Sequence, residues 1–156
     1  MYRTMFLQAV SVLLLAASSG SITDPFLGTW KLDPQRSQYP AGACPKSMVI
    51  EMRPAEQGVR YHSDATYSNG GEIHAQYTAG YDGKQVTVMG DRGLLLPVSL
   101  KRVNSHLVVA TYSRGLQLVA TSRRAVSQDG RLMTITTTSL DRMGKMVRTV
   151  GVYRKQ

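Results

Sequence analysis

The chain has 156 residues, one cysteine and a formal net charge of +9, with 42% of its residues hydrophobic and 19% charged. A single Cys44 excludes an internal disulfide framework, so the fold must rest on its apolar core. The positive charge is uneven: residues 22–91 carry 6 basic and 8 acidic side chains, whereas residues 92–156 carry 12 basic ones against only Asp129 and Asp141.

The N-terminal residues read as an address. Arg3 supplies a positive charge, Met5 to Ala17 form an apolar run broken only by Gln8 and Ser11, and Ser18-Ser19-Gly20-Ser21 are small. This is the three-part plan of a secretory signal peptide, and the run is short for a bilayer span. The expected division is therefore a signal peptide at 1–21 and one domain at 22–156, with no transmembrane segment after cleavage. The expected location is secreted or periplasmic, by bacterial export.

From Asp24 onward the pattern has period two. Asn69-Gly70, Asp82-Gly83, Arg92-Gly93, Asn104-Ser105, Arg114-Gly115, Asp129-Gly130 and Arg142-Met143-Gly144 supply turns between β-rich runs. The spacing predicts strands at 26–33, 46–54, 58–68, 71–81, 84–89, 94–103, 106–113, 116–127, 131–140 and 145–154. Between the first two lies "PQRSQYPAGACP", Pro34 to Pro45, whose three prolines exclude a stable helix. Consecutive antiparallel strands leave two bare edges unless the sheet closes. The expected fold is all-β, an antiparallel up-and-down barrel of about 8–10 strands, with an open sandwich as the competitor.

Candidate chemistry follows from strand parity. Tyr61 and Tyr67 share one face of their strand, and Tyr77 and Tyr81 share one face of the next. Such a patch can line a cavity with apolar walls and phenol handles, or simply pack as core. Phe26, Leu94, Leu95, Leu96 and Leu116 are further apolar candidates for the lining. A two-residue Asn69-Gly70 loop would set His62 against Tyr77 and His74 against Ala65, with the two imidazoles about 10 Å apart along the strands, too far for a shared metal. A one-residue change of register sets Tyr61 against Tyr77 instead. No Gly-x-Ser-x-Gly, phosphate-binding glycine pattern or acid–base carboxylate pair occurs. The expectation is a protein that is not an enzyme and that needs no metal or cofactor. Too few aromatics accompany the C-terminal basic residues for nucleic-acid binding to be expected.

Gly28-Thr29-Trp30 sits on the first predicted strand, and five stretches carry a wider resemblance: Pro25 to Leu32, Pro45-Lys46-Ser47, Tyr77 to Lys84, Ser127 to Thr134 and Val152 to Gln156. Together they resemble the calycin group, the lipocalins and fatty-acid-binding proteins. More specifically, they are similar to small exported bacterial lipocalin-like proteins to which no established activity is attached. The resemblance implies that Gly28 and Trp30 form the structural motif at the closed end of the barrel. It also implies a comparison at Gly151-Val152-Tyr153, where fatty-acid-binding proteins carry Arg-x-Tyr to grip a carboxylate. Tyr153 is kept and the arginine is not, so Arg148 or Arg124 would have to point inward to replace it. The Pro34–Pro45 loop is too short for the helical lid of those proteins.

Two functions fit. The first is a non-catalytic barrel that binds a small apolar or amphipathic molecule in its lumen, with Tyr61, Tyr67, Tyr77, Tyr81 and Tyr153 as lining. The alternative is a filled barrel acting as an envelope or extracellular interaction module, its basic C-terminal half meeting an anionic surface through Arg123 and Arg124.

Overall fold

The computed structural model describes residues 23–90, 96–141 and 143–156. The expected leader at 1–21 and Leu94 and Leu95 lie outside the described residues. Among the described residues no helix is long and apolar enough to cross a membrane.

The chain is all-β and antiparallel. Its strands are β1 (Gly28–Leu32), β2 (Ser47–Ala55), β3 (Gly58–Thr66), β4 (Glu72–Gly80), β5 (Asp82–Val86), β6 (Met89–Gly90), β7 (Val98–Asn104), β8 (Leu107–Arg114), β9 (Gln117–Val126), β10 (Leu132–Leu140) and β11 (Met146–Lys155). They form one sheet in the order β5-β7-β8-β9-β10-β11-β1-β2-β3-β4-β6. Neighbours in sequence are neighbours in the sheet except around β5 and β6: β5 leaves β4 to pair with β7, and β6 returns to pair with β4. The sheet curls so that β4 lies against β5 and β7, and the Arg102 N–H reaches the Tyr81 carbonyl at 3.5 Å. Curling brings the two edges together, which an open sheet would leave bare.

Alternation explains the core. Along β9, Ala120, Ser122, Arg124 and Val126 are buried while Arg123 and Ala125 are exposed. The Pro34–Pro45 segment holds a single 3₁₀ turn, Pro34–Arg36, as its prolines require. It then pairs with β11 through Gln38, whose N–H and carbonyl both bond Val150, at 2.7 and 2.8 Å.

One end of the barrel is plugged. Trp30 and Phe26 are fully buried there, and the Trp30 indole N–H donates to the Phe26 carbonyl at 2.8 Å. The Lys155 ammonium lies 4.9 Å from the indole ring centre and donates to the Pro25 carbonyl at 3.1 Å. Gly28 has φ +128°, and a Cβ there would fall 2.8 Å from Lys155 Cε. Only glycine combines that backbone with room for the lysine. Arg102 closes the same end, ion-paired with Asp24 and stacked 4.0 Å over the Tyr81 ring.

The β3–β4 register corrects the two-residue loop. Thr66 pairs with Glu72, so five residues turn the chain, held by Tyr67 N–H to the Gly71 carbonyl and Gly71 N–H to Asn69 Oδ1. Tyr61 therefore faces Tyr77, and His62 faces Gln76. The two histidines are also closer than the shorter loop implied. On the outer face both contact Asp64, His62 Nε2 at 2.9 Å and His74 Nδ1 at 2.5 Å, and these bonds hold the Asp64 carboxyl below its ordinary pKa. Their nitrogens are turned onto that carboxylate, and no group of three or more potential ligands among the described residues is arranged to hold a metal ion.

Candidate functional site

At the end of the barrel away from Trp30 lies a cavity of about 310 Å³. Its walls come from both halves of the sheet and from the loop after β1. Met48, Ile50, Ile73, Val88 and Ile135 supply apolar surface; Ser122, Thr137 and Thr149 supply hydroxyls; Tyr39, Tyr61, Tyr67, Tyr77, Tyr112 and Tyr153 line it together with Arg124. No aspartate or glutamate lines the cavity among the described residues.

Arg124 dominates the electrostatics. Only 3% of it is exposed. Nη1 donates to the Tyr77 phenol oxygen at 2.7 Å and Nη2 to that of Tyr112 at 3.1 Å. Nε is buried with no hydrogen-bond partner among the described residues. The guanidinium carbon lies 5.0 Å from the Tyr61 ring centre, and Tyr61 and Tyr77 stack at 4.6 Å with planes 10° apart. Burial pushes the phenols of Tyr61, Tyr77 and Tyr153 above the ordinary tyrosine range. They are neutral hydroxyls at physiological pH, and the guanidinium stays protonated. Among the described residues the lumen thus holds one positive charge with no counter-charge. Leaving an ion unpaired in a protein interior costs several kcal/mol, and two neutral acceptors offset part of that.

Several expectations change here. Arg124 is not a surface residue: β-strand alternation separates it from Arg123, which alone of the pair is exposed. An anionic surface cannot meet both. Of the two arginines weighed as inward cations, Arg124 points in and Arg148 is exposed. Tyr61, Tyr67, Tyr77 and Tyr153 are brought together around the cavity, while Tyr81 is not, lying at the plugged end under Arg102. Burial pushes the Tyr81 phenol up to about 12. Leu116 is fully exposed rather than lining, and Phe26 belongs to the plug.

Tyr39 and Tyr112 were absent from the sequence-derived set. Tyr112 follows Val108 and Ala110 on the inward face of β8, so parity carried its signal. Tyr39 had none, being in an irregular loop. Its place depends on Gly151, where a Cβ would fall 2.8 Å from the Tyr39 hydroxyl and 2.8 Å from Tyr153 Cε2. The position where the resemblance implied an arginine is thus empty of side chain, and Tyr39 occupies the space. Gly151→Ala is expected to cost about 1–3 kcal/mol by overpacking and to speed tryptic cleavage at exposed Arg36 by loosening the loop. Unchanged melting and cleavage would contradict this account of the loop.

No family profile and no curated relative matches the chain. Among solved structures, the zebrafish ileal bile-acid-binding protein, complexed with cholic acid, is similar to it with a TM-score of 0.51 at 12% identity. The match covers 85% of this chain and 99% of that one. The fold is calycin-like. Within this calycin-like barrel, a lateral depression beside Lys31, Asp33, Pro34 and Arg154 has about 440 Å³ of space but lies outside the lumen. Asp33 there is already paired, because Arg154 Nε donates to its Oδ2 at 3.0 Å and holds that carboxyl low.

Proposed function

We propose that the barrel binds a small amphipathic acid in its lumen, the acidic head against Arg124 and the apolar body among Ile50, Ile73, Val88 and Ile135. The observation that carries this is the buried guanidinium with, among the described residues, an unpartnered Nε and no carboxylate beside it. An anionic head would supply both the missing acceptor and the missing charge. The volume sits at the lower end of ligand pockets, about 300–1,000 Å³, which favours one short chain or a compact ring system. The structural neighbour, captured with cholic acid, makes an amphipathic acid a reasonable occupant for the fold.

We further propose that the protein is non-catalytic and exported. Among the described residues the lumen presents a cation and neutral phenols, with no group placed as a base. Export rests on the pattern of residues 1–21. A filled barrel working only through its outer surface is disfavoured by the cavity itself.

The test is competition for an anionic naphthalene-sulfonate dye. Decanoate is expected to displace the dye at least tenfold better than decanol, whose chain has the same length without the charge. Equal displacement by acid and alcohol, or no displaceable dye, would overturn the reading.

A further inference from the structure

Hairpin turns ordinarily present Gly, Asn, Asp, Ser or Pro to water. The β8–β9 and β10–β11 hairpins present large apolar side chains instead. Leu116 at the first tip is 108% exposed and Met143 at the second 92%, with Met146 at 69% and Leu118 and Leu140 about half exposed. The two tips form one surface. β9 pairs with β10 up to Ser139↔Ala120, Leu140 pairs with Met146, and Leu118, Leu140 and Met146 line a common shallow groove of about 240 Å³.

A basic band surrounds this surface. Arg114, Lys145 and Arg148 are exposed, and Arg114 shares a second depression with Gln117, Leu140 and Gly144. Arg148 pairs with Thr138 and Arg123 with Thr136, which places both further down the outer face. Among the described residues there, the one acid, Asp141, is engaged by its own turn, its Oδ1 accepting the Met143 and Lys145 N–H groups at 2.8 Å each. The tips also stand at the cavity end of the barrel. Ser122, Thr137 and Thr149, which line the cavity, form the register row Ser122↔Thr137↔Thr149 only a few residues below them.

We propose that these two hairpin tips dock the protein on an anionic lipid bilayer. Leu116, Leu118, Leu140, Met143 and Met146 enter the headgroup–acyl boundary, and Arg114, Lys145 and Arg148 lie at the lipid phosphates. Apolar insertion and basic attraction are each weak alone and sufficient together. A second copy of the chain fits the patch less well, because face-to-face pairing would set the basic bands against each other. Docking there holds the cavity end of the barrel against the membrane, where an amphipath leaving the bilayer would meet it. The docking itself stands whether or not the lumen binds an acid.

The test uses the full chain with an environment-sensitive fluorophore at Leu116→Cys in a Cys44→Ser background. A second protein carries the label at Gln128→Cys, in the β9–β10 turn at the plugged end. Vesicles of phosphatidylglycerol and phosphatidylcholine are expected to shift the label at 116 to the blue and leave that at 128 in water. Phosphatidylcholine alone should give little shift. Reversing Arg114, Lys145 and Arg148 to glutamate should lower partition at least tenfold while dye binding in the lumen persists, which separates this result from the fate of the ligand reading. An aqueous label at 116, equal responses at both labels, or a blue shift that grows with protein concentration without vesicles would each overturn the proposal, the last in favour of self-association.

Discussion

An Arg124→Met variant is expected to be at least as stable as the parent and to lose its preference for acids. Methionine keeps much of the length and removes the charge. Replacing a buried ion by an apolar side chain of similar volume is commonly neutral or stabilising by about 1–4 kcal/mol. Here the gain is the relief of a guanidinium whose Nε has no partner, offset by the loss of bonds to Tyr77 and Tyr112. Binding moves the other way. Truncating one member of a buried, hydrogen-bonded charge pair costs about 2–5 kcal/mol, so decanoate should bind about thirtyfold more weakly or worse, while decanol is little affected. Arg124→Lys keeps the charge and loses the planar fork, so its affinity should fall between the two. Chemical denaturation and dye competition measure both quantities. A variant destabilised by several kcal/mol with unaltered acid preference would make Arg124 a structural residue and sink the proposed site.

The same site fixes the sign of the pH response. Arg124 stays protonated, and burial holds Tyr61 and Tyr77 neutral far above physiological pH. The protein's charge in the lumen is then constant across the ordinary range. Affinity for an acid should be full above the acid's own pKa and fall as pH drops through it.

Much of this was legible in the sequence, and the misses have physical causes. Period-two alternation and regular turns located the ten longer strands, because most of them bury one face and most of the turns place a glycine at positive φ. Alternation also carried the decisive site residue. Arg124 shares parity with Ala120, Ser122 and Val126, all small or apolar, which is an inward face. Taking Arg123-Arg124 together as one basic patch hid that, since adjacent strand residues face opposite sides. Tyr81 failed for the complementary reason: parity with Tyr77 holds only within β4, and β4 ends at Gly80. The β3–β4 register turned on loop length, which Asn69-Gly70 suggested to be two residues and which side-chain and backbone bonds extend to five. Tyr39 was beyond reach, because its position depends on the empty space over Gly151, a contact between segments far apart in sequence.

The largest loss of stability is expected from Trp30→Ala. β1 has only five residues, yet it joins β11 to β2, with Trp30 opposite Lys155 on one side and Ile50 on the other. Fully buried Trp or Phe residues cost about 3–5 kcal/mol on truncation to alanine. Here the Phe26 carbonyl also loses its indole donor and Lys155 loses the ring beneath it. Against a total of roughly 5–15 kcal/mol for a domain of this kind, with no internal disulfide to compensate, much of the folded margin disappears. At about 2–8 °C per kcal/mol for domains near this size, the melting temperature should fall by at least about 6 °C. Trp30→Phe refills most of the volume and forfeits one hydrogen bond, so it should cost only about 1–2 kcal/mol more than nothing. Because neither Trp30 nor Phe26 lines the cavity, the Trp30→Phe protein should keep the acid preference of the parent. A Trp30→Ala protein melting within about 3 °C of the parent would mean that the sheet closes without its plug. A Trp30→Phe protein that folds normally but no longer distinguishes decanoate from decanol would mean that the plug and the cavity are not independent.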